Sequence, residues 1–385
     1  MRVAYYSPSA ATTHVGGVET FVREISACLS QIGVQVSIIT GLGEISPNFI
    51  PFQSCFSNIY YLPFLQRYLR GNNMVCRVAS KLGHEITPYT VESYSMIPLG
   101  TIHFVTHSYD IIAVHGLSDL FLRLCTGRTP FIFHYHGGHI SPFHIAFLKR
   151  LPIFCIITCS SYLQSKLQEL GIKCHIEQVH NGVDPNFFRP DVKLREWARE
   201  SLGIGNRKMI LYAGRFTPEK EVELAIYALA SIRKSVEACL VVVGSGPLKD
   251  SYIRLARRLG VSSDLIVLEG VSQRLLLAYY NAADVFVLPC SRETFGIVLV
   301  EAQACGLPVV AANSGGVPEV VRDGQTGLLF EAGSQKALAS SLLNILLSDN
   351  RREEMGLKGR QNILRYFTWH HAAQKLLKIY SSAVE

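Results

Sequence analysis

Two glutamates, Glu293 and Glu301, are the residues whose types and spacing first suggest a chemical function. Glu293 stands in a polar loop, and Glu301 follows eight residues later in a segment with helical spacing. Carboxylates accept hydrogen bonds from paired hydroxyls, as on a ribose or a hexose, and the start of a helix offers free N–H groups. A catalytic acid/base pair and two solvated helix-end side chains are the alternative interpretations.

The elements around these glutamates form a strand, a loop and a helix. The apolar run 284–288 predicts a buried parallel strand, which Pro289 ends. A helix is expected to open at Phe295-Gly296 and to run to about Ala304. Open α/β sheets bind ligands where a strand ends and a helix begins, so this stretch predicts a binding site.

A second candidate site follows the predicted strand at 209–213. Gly214 and Arg215 come directly after it, and Lys220 lies where the next helix is expected to begin. Two cations beside a helix start suit a diphosphate without a metal, since Arg grips oxygens in pairs and Lys supplies a point charge. Surface salt bridges are the alternative.

Composition and charge restrict the classes of protein. The chain has 385 residues, of which 48% are hydrophobic and 17% charged, which predicts a globular protein of two domains. The net charge of +7 is spread along the chain, so no nucleic acid partner is expected. Ten cysteines without a CxxC pair, no signal peptide and no membrane-spanning run predict reduced thiols and a cytoplasmic location.

The first half carries a glycine pair and most of the histidines. Gly16-Gly17 would let the backbone approach a phosphate or a sugar, although no GxGxxG is present and a simple tight turn is the alternative. His134 and His136 would share one face of a strand, which raises the question of a metal. Because no carboxylate or cysteine completes such a site at a usual spacing, we expect no metal and predict a hydrogen bond from histidine to substrate.

Two aromatic stretches with basic neighbours, 56–70 and 143–154, favour contact with a membrane surface or a lipid-like acceptor. For the first stretch, an amphipathic helix packed on its own sheet is the alternative. Residues 47–75 otherwise look irregular. Residues 184–205 look like the connection between two domains.

Strands, loops and helices alternate in both halves, which predicts an α/β protein with two doubly wound sheets. With its motifs in order, the chain closely resembles a retaining glycosyltransferase of the GT-B fold, in family four, over essentially its whole length. The motifs are Gly16-Gly17-Val18-Glu19, Asn181-Gly182-Val183-Asp184, Gly214-Arg215 with Lys220, Glu293 to Glu301 with Phe295-Gly296, 301–308, and Gly315-Gly316-Val317-Pro318-Glu319.

The resemblance implies two Rossmann-like domains that face a cleft. Residues 1–190 would bind the acceptor and 191–366 the nucleotide-sugar. Residues 367–385 would form a helix that crosses back to the first domain. Glu221 departs from the pattern, since the family commonly has glycine after the lysine.

The resemblance also assigns roles to residues. Arg215 and Lys220 would hold the diphosphate, Glu301 the ribose and Glu293 the donor sugar. Further contacts to the donor would come from Gly16, Gly17, Gly214, Val271, Phe295, Gly296 and Ile297, and His136 would lie beside the transferred sugar. His136, Arg215, Lys220 and Glu293 are thus the predicted catalytic residues.

The expected reaction is transfer of a hexose from a nucleotide-sugar, with UDP-sugar as the first expectation, to a hydroxyl acceptor with retention at the anomeric carbon. No DxD is present, so no metal or other cofactor is expected, and cations and helix starts would stabilise the leaving diphosphate. The acceptor would be a glycan or a lipid-linked sugar in cell-surface glycan synthesis, with peripheral membrane contact. A nucleotide-sugar epimerase and a non-catalytic nucleotide-sugar-binding protein are the alternatives.

Overall fold

The computed structural model contains two compact units, each built on its own sheet. Unit 1 comprises Met1–His180 together with Trp369–Glu385, and unit 2 comprises Asn181–Thr368. The part of the chain that the structure describes is residues 1–10, 16–42, 55–62 and 88–385.

The unit boundaries lie at 180/181 and 368/369, whereas the sequence suggested 190/191 and 366/367. The segment 184–205, expected to be an interdomain connection, instead contains the helix Val192–Ser201 and belongs to unit 2. Two arginines on this helix, Arg195 and Arg199, form ion pairs at 2.9 and 3.3 Å with the buried carboxylate of Asp284. These pairs attach the segment to the sheet of unit 2.

Unit 1 is organised around a seven-stranded sheet in the order β3-β2-β1-β4-β5-β6-β7, and all its pairings are parallel. β1, β4, β5 and β6 are almost entirely buried, as expected for parallel strands rich in branched and aromatic residues. The strands are β1 Arg2–Tyr6, β2 Gln35–Gly41, β3 Asn58–Leu62, β4 Ile111–Val114, β5 Phe131–Tyr135, β6 Cys155–Thr158 and β7 Ile176–Gln178.

The helices that the structure describes in unit 1 include one from the far end of the chain. This C-terminal helix, Trp369–Val384, packs beside the first helix. The α-helices are Gly17–Gln31, Pro88–Thr106, Pro142–Leu148, Ser161–Glu169 and Trp369–Val384, and a 3₁₀ helix covers Ser118–Leu124.

Unit 2 repeats the arrangement with a six-stranded parallel sheet in the order β10-β9-β8-β11-β12-β13. The strand order reverses between β8 and β11. In sheets of this kind, ligands bind beyond the carboxyl ends of the strands at such a reversal. The strands are β8 Lys208–Ala213, β9 Ala238–Val243, β10 Leu265–Leu268, β11 Val285–Leu288, β12 Val309–Ala312 and β13 Gly327–Phe330.

The helices of unit 2 alternate with its strands and include a segment that carries part of the candidate site. Short 3₁₀ helices occupy Pro218–Lys220 and Ser262–Asp264. The α-helices are Val192–Ser201, Val222–Ile232, Lys249–Arg258, Gln273–Ala282, Ile297–Ala304, Val317–Val320, Gln335–Leu346 and Asp349–Tyr366.

The structure corrects one further prediction in unit 1. Residues 47–75 looked irregular, but Asn58–Leu62 form the edge strand β3, which pairs in parallel with β2. Three aromatic or branched side chains make a good strand, although a short run of them at a sheet edge lacks the clear alternation that would reveal it. Residues 63–70 of the first aromatic stretch lie outside the part of the chain that the structure describes.

Candidate active site

The loops after β8 and β11 form the candidate site of unit 2, because these neighbouring strands end side by side where the strand order reverses. We call residues 214–221 the cation loop and residues 289–296 the glutamate loop. The cation loop carries Arg215 and Lys220, and the glutamate loop carries Glu293. The two candidate stretches of the sequence therefore meet at one edge of the sheet.

Lys220 and Glu293 form a direct ion pair, in which Lys220 Nζ donates to Glu293 Oε2 at 2.8 Å. The two side chains are 19% and 14% exposed, so water screens the pair weakly. Burial lowers the pKa of Lys220, but the Glu293 carboxylate outweighs that effect and leaves this pKa above its usual value. The Lys220 ammonium is therefore charged, and an incoming phosphate would bind it together with Glu293.

Arg215 has a different environment from Lys220. Its guanidinium is 65% exposed and lies 3.5 Å from the carboxylate of Glu219, one turn further along. Exposed pairs of this kind contribute little stability, so the guanidinium can exchange Glu219 for a stronger anion at small cost. Together, Arg215 and Lys220 present two cations at the end of β8, as the sequence predicts.

The other carboxylate oxygen of Glu293 turns back on its own loop. Oε1 accepts hydrogen bonds from the backbone N–H of Thr294 at 3.1 Å and of Phe295 at 3.5 Å. Gly296 then enters the helix Ile297–Ala304 in the left-handed conformation, with φ of 88°. The N–H groups of Gly296 and Ile297 lie at the helix start, where the prediction places contacts to the donor sugar, whereas Phe295 N–H is directed at Glu293.

A glycine that sequence reasoning did not assign to the site, Gly315, fixes the backbone of Glu293. A Cβ at position 315 would lie 1.8 Å from the carbonyl oxygen of Glu293, and Gly316 N–H donates to that oxygen at 3.1 Å. Ser314 Oγ also donates to the carbonyl of Cys290 at 3.0 Å. The loop after β12 thus supports the glutamate loop, and its Gly-Gly pair was the signal that could have revealed this.

Glu301 lies in the second turn of the helix Ile297–Ala304 and is 8% exposed. One of its carboxylate oxygens accepts a hydrogen bond of 2.8 Å from the hydroxyl of Tyr280, which is itself completely buried. Burial raises the pKa of the Tyr280 hydroxyl well above its usual value, so the phenol stays a donor. Tyr280 therefore orients Glu301. In the sequence, nothing distinguishes Tyr280 from the other buried residues of the helix Gln273–Ala282.

Gly214 and Val271 follow the carboxyl ends of two different strands of the same sheet, β8 and β10. A Cβ at Gly244 would lie 1.8 Å from the carbonyl oxygen of Gly214, so the loops after β8 and β9 approach closely. Val271 is half-buried and follows β10, the edge strand, two strands away from β8. Val271 therefore follows a different strand from those that carry the ion pair, and its predicted contact to the base stays a prediction.

In unit 1, Gly16 immediately precedes the helix Gly17–Gln31, of which Gly17 is the first residue. Glu19 in the first turn is buried, and its carboxylate accepts a hydrogen bond from Ser9 Oγ at 2.5 Å. A Cβ at Gly16 would lie 2.6 Å from the same carboxylate. Local packing against Glu19 therefore favours glycine at position 16. The contact of Gly16 and Gly17 with phosphate stays a prediction.

His136 belongs to a cluster of three histidines in unit 1. Its Nε2 lies 3.0 Å from Nδ1 of His115, and the ring of His115 stacks on His134 with 4.9 Å between ring centres. His134 Nε2 lies 3.1 Å from the hydroxyl of Tyr380, which also hydrogen-bonds to the hydroxyl of Tyr5 at 2.6 Å. This chain of contacts runs from the C-terminal helix to β1, β5 and the residue that follows β5.

The three imidazoles of this cluster are neutral at physiological pH. Burial lowers the pKa of His136 to about 4, and burial together with the neighbouring imidazoles lowers the pKa of His115 and of His134 well below 6.5. The rings stack instead of converging on a point. Within the part of the chain that the structure describes, no group of three histidine, cysteine or carboxylate side chains is placed to hold a metal ion.

Sequence comparison places both units in known families. A family model described as "Glycosyltransferase Family 4" matches residues 15–187, and one described as "Glycosyl transferases group 1" matches residues 195–362. An uncharacterized glycosyltransferase of Methanocaldococcus jannaschii is 30% identical over 348 residues, which are 79% of this chain and 89% of that protein.

A second relative is named as a GDP-mannose-dependent alpha-(1-6)-phosphatidylinositol monomannoside mannosyltransferase, from Mycolicibacterium smegmatis. It is 34% identical over 235 residues, which are 59% of this chain and 62% of that protein. This chain thus spans less than two thirds of the mycobacterial relative that it matches.

Among solved structures, sucrose-phosphate synthase from Thermosynechococcus elongatus superposes with a TM-score of 0.79 at 21% identity, covering 99% of this chain and 98% of that one. At this identity the likeness concerns the fold, which agrees with the two doubly wound sheets. In the part of the chain that the structure describes, no helix is long and apolar enough to cross a membrane.

Proposed function

Because the chain belongs to the glycosyl transferases group 1 family and has the GT-B type of fold, we propose that it moves a sugar from a nucleoside diphosphate donor to a hydroxyl group of an acceptor. The observation that carries this proposal is the Lys220–Glu293 ion pair at the carboxyl ends of β8 and β11. It joins an anion-binding cation to a hydroxyl-binding carboxylate at the reversal of strand order, where ligands bind.

We propose a definite role toward the donor for each of these residues of unit 2. Arg215 and Lys220 bind the diphosphate oxygens. Glu301 accepts hydrogen bonds from the ribose hydroxyls, and Glu293 accepts them from the hydroxyls of the sugar. Before the donor arrives, Glu219 and Glu293 neutralise the two cations. The diphosphate therefore displaces one weak exposed pair and shares one buried lysine. The roles of Gly16, Gly17 and His136 beside the donor remain predictions of the resemblance.

The chemistry that this arrangement supports is electrostatic. As the bond between the sugar and the diphosphate breaks, negative charge grows on the leaving phosphate, and Arg215 and Lys220 stabilise it without reorganisation. We propose that the acceptor hydroxyl attacks the face of the sugar from which the diphosphate leaves and passes its proton to the leaving phosphate oxygen, so that the anomeric configuration is retained. We further propose that no metal is needed. Transfer is then expected to continue in excess chelator, and the product is expected to keep the donor's anomeric configuration by NMR.

The donor nucleotide in this proposal is GDP, UDP or ADP, since no side chain in the sequence excludes any of the three. A UDP-sugar was the first expectation from the sequence, whereas the matched mycobacterial relative is named for GDP-mannose. GDP-mannose is therefore the first donor to test. Thermal shift with GDP, UDP and ADP, followed by mass spectrometry of the products formed from their sugars, distinguishes these donors.

The test of the proposed function compares two lysines at opposite ends of β8. Lys220 follows its carboxyl end, and Lys208 at its amino end forms a 3.0 Å ion pair with Asp349. Lys220→Ala and Glu293→Ala should abolish most transfer, and Lys208→Ala should not. If Lys220→Ala and Glu293→Ala both turn over donor and acceptor at the wild-type rate, the proposal is wrong.

An aromatic and basic surface of unit 1 supports a lipid-linked acceptor. Phe121 and Phe147 lie 4.9 Å apart between ring centres, and Phe143 stacks on Phe147 while 53% of its surface is exposed. Lys149 and Arg150 follow directly and are exposed. An apolar ring with adjacent cations suits the boundary between headgroups and acyl chains.

We propose that this surface touches an anionic membrane in which the acceptor is anchored. Cosedimentation with vesicles of phosphatidylglycerol and phosphatidylcholine should fall for Phe143→Ser and for the Lys149→Ala, Arg150→Ala double variant. Trp197→Ser is the control, since Trp197 is 47% exposed in unit 2. Wild-type protein that does not cosediment with these vesicles contradicts the membrane contact and leaves a water-soluble acceptor.

Two alternatives are separated from sugar transfer by the products. A nucleotide-sugar epimerase would change the donor without an acceptor, and a non-catalytic binding protein would shift in melting temperature with the nucleotide but form no product. The presence of Arg215, Lys220, Glu293 and Glu301 together argues against the non-catalytic protein, and transfer to a second molecule distinguishes the epimerase.

A further inference from the structure

Glu221, the last residue of the cation loop, has a backbone conformation that suits glycine. Its φ of 51° and ψ of 36° are left-handed, and it is the one non-glycine residue with positive φ in the part of the chain that the structure describes. Glycine adopts this conformation without steric penalty, whereas a residue with a Cβ is strained in it. Such strain persists where the surrounding structure holds it in place, and it concentrates at functional sites.

The side chain of Glu221 makes a contact that glycine could not make. Its Oε1 accepts a short hydrogen bond from Ser291 Oγ in the glutamate loop. Both residues are half-buried. The contact joins the last residue of one loop to the start of the other, across the carboxyl ends of β8 and β11.

This contact is one of three that link successive residues of the cation loop to the glutamate loop. The carbonyl oxygen of Glu219 accepts a hydrogen bond from the thiol of Cys290 at 3.0 Å, and Lys220 forms its ion pair with Glu293. The Cys290 contact uses backbone on the cation loop, and the Lys220 pair uses the proposed catalytic groups. The Glu221 contact therefore holds the loops together through a side chain that need not touch the donor.

We propose that Glu221 is a positioning residue, which ties Ser291 to the cation loop and so keeps the Glu293 carboxylate facing Lys220 and the donor sugar. The strained backbone is retained because the carboxylate has this task. This inference rests on the proposed function, since it assigns Glu293 to the sugar.

The experiment separates positioning from a purely structural role. Glu221→Gly removes both the strain and the contact, so its melting temperature should rise by about 2–4 °C while kcat for transfer falls about fivefold to tenfold. The KM for the donor should change less than kcat, because Arg215 and Glu301 are untouched. A purely structural role would make stability and kcat fall together.

Two further variants identify the contact itself. Ser291→Ala should lower kcat as Glu221→Gly does, and the double variant should be no worse than either, because both remove the same interaction. Glu221→Gln keeps an oxygen that can accept from Ser291 and should recover most of the lost kcat. Glu223→Gln removes a carboxylate in the first turn of the helix Val222–Ile232 and serves as the control.

Hydrogen exchange in residues 290–296 tests the contact without any substrate. Exchange there should be faster in Glu221→Gly and in Ser291→Ala than in the wild type. Unchanged exchange, unchanged kcat in Glu221→Gly, or a fall of its melting temperature together with kcat would each overturn the inference. A wild type that transfers no sugar refutes the proposed function instead, and the exchange measurement still decides whether Glu221 ties the loops.

Discussion

The two clusters of polar side chains in this protein hold their chemistry in opposite ways. In unit 2, Lys220 and Glu293 are charged, paired across two loops and partly open to water. In unit 1, the imidazoles of His115, His134 and His136 are neutral, stacked and enclosed by aromatic rings such as Phe21. The first cluster suits the binding of a charged ligand, and the second suits a hydrogen bond of fixed direction.

Their supports differ as well. Loop contacts and close-packed glycines hold the ion pair of unit 2, so small changes in loop conformation can move it. The histidines of unit 1 depend on hydrogen bonds that cross the whole sequence, since Tyr5 and Tyr380 stand 375 residues apart. Perturbing each cluster should therefore produce different symptoms, with function lost in unit 2 and stability lost in unit 1.

Acid should produce the largest difference between the units. Unfolding exposes His115, His134 and His136, which then take up protons near pH 6.5. In the folded chain, burial lowers the pKa of His136 to about 4 and holds the pKa of His115 and of His134 well below 6.5. Burial also lowers the pKa of His103 to about 4. Asp119 acts in the opposite sense, since burial raises its pKa to about 6 and the folded chain holds its proton more tightly.

The lowered histidine pKa values outnumber the one raised aspartate pKa, so unfolding takes up protons on balance and the stability of unit 1 should fall as the pH drops from 7 to 5. One tryptophan lies in each unit, so Trp369 reports on unit 1 in a Trp197→Phe variant, and Trp197 reports on unit 2 in Trp369→Phe. Urea midpoints measured at pH 7 and pH 5 should drop far more for unit 1. Equal drops would break the contrast between the clusters.

Removal of the lysine should have the next largest effect, in unit 2. Lys220→Ala leaves the Glu293 carboxylate without its cation and the leaving phosphate without a contact, so kcat should fall about 10²–10³-fold. The melting temperature of Lys220→Ala should stay close to that of the wild type. Steady-state kinetics measure this fall in kcat, with Lys208→Ala as the control. A loss of less than tenfold would show that Arg215 alone stabilises the phosphate.

Tyr380→Phe should separate the units by stability. It deprives both Tyr5 and His134 of a buried hydrogen-bond partner, which costs about 1–3 kcal/mol. Denaturant unfolding followed at Trp369 should show this loss, and Tyr366→Phe on an exposed ring of unit 2 is the matched control. Wild-type stability in Tyr380→Phe would mean that the stacked rings alone maintain the cluster.

The smallest effect concerns Glu301. Tyr280→Phe removes the hydroxyl that orients this carboxylate, so affinity for the free nucleotide should fall about fivefold to tenfold. Calorimetry with GDP and UDP measures it. Tyr279→Phe, at the preceding residue of the same helix, should bind nucleotide like the wild type. Equal losses of affinity in both variants would assign the effect to helix packing.

Local patterns predicted the two sheets and placed the candidate residues of unit 2 after strands. The run before Glu293 and the stop at Gly306 place a strand and a helix because their signals lie within a few residues of each other. The pairing of Lys220 with Glu293 could not be predicted in this way. It depends on β8 and β11 being neighbours, and no local pattern records which strands become neighbours.

The same reason explains the residues that sequence reasoning missed. Tyr280 and Tyr380 look like core aromatics, and their hydroxyls gain a meaning only from partners on other elements. His115 follows β4 and contacts His136, which follows β5, because β4 and β5 pair. Gly315 and Glu221 are exceptions, since a Gly-Gly pair and a departure from an expected glycine are both visible in the sequence.

The hydrogen bond between Tyr5 and Tyr380 also constrains the order in which a ribosome can complete the protein. β1 leaves the exit tunnel first, but its partner on the C-terminal helix is translated only after all of Asn181–Thr368. At about 5–20 residues per second, unit 1 waits roughly 10–40 seconds with its histidine cluster unfinished. Unit 2, a continuous segment, can be folded before unit 1 is closed.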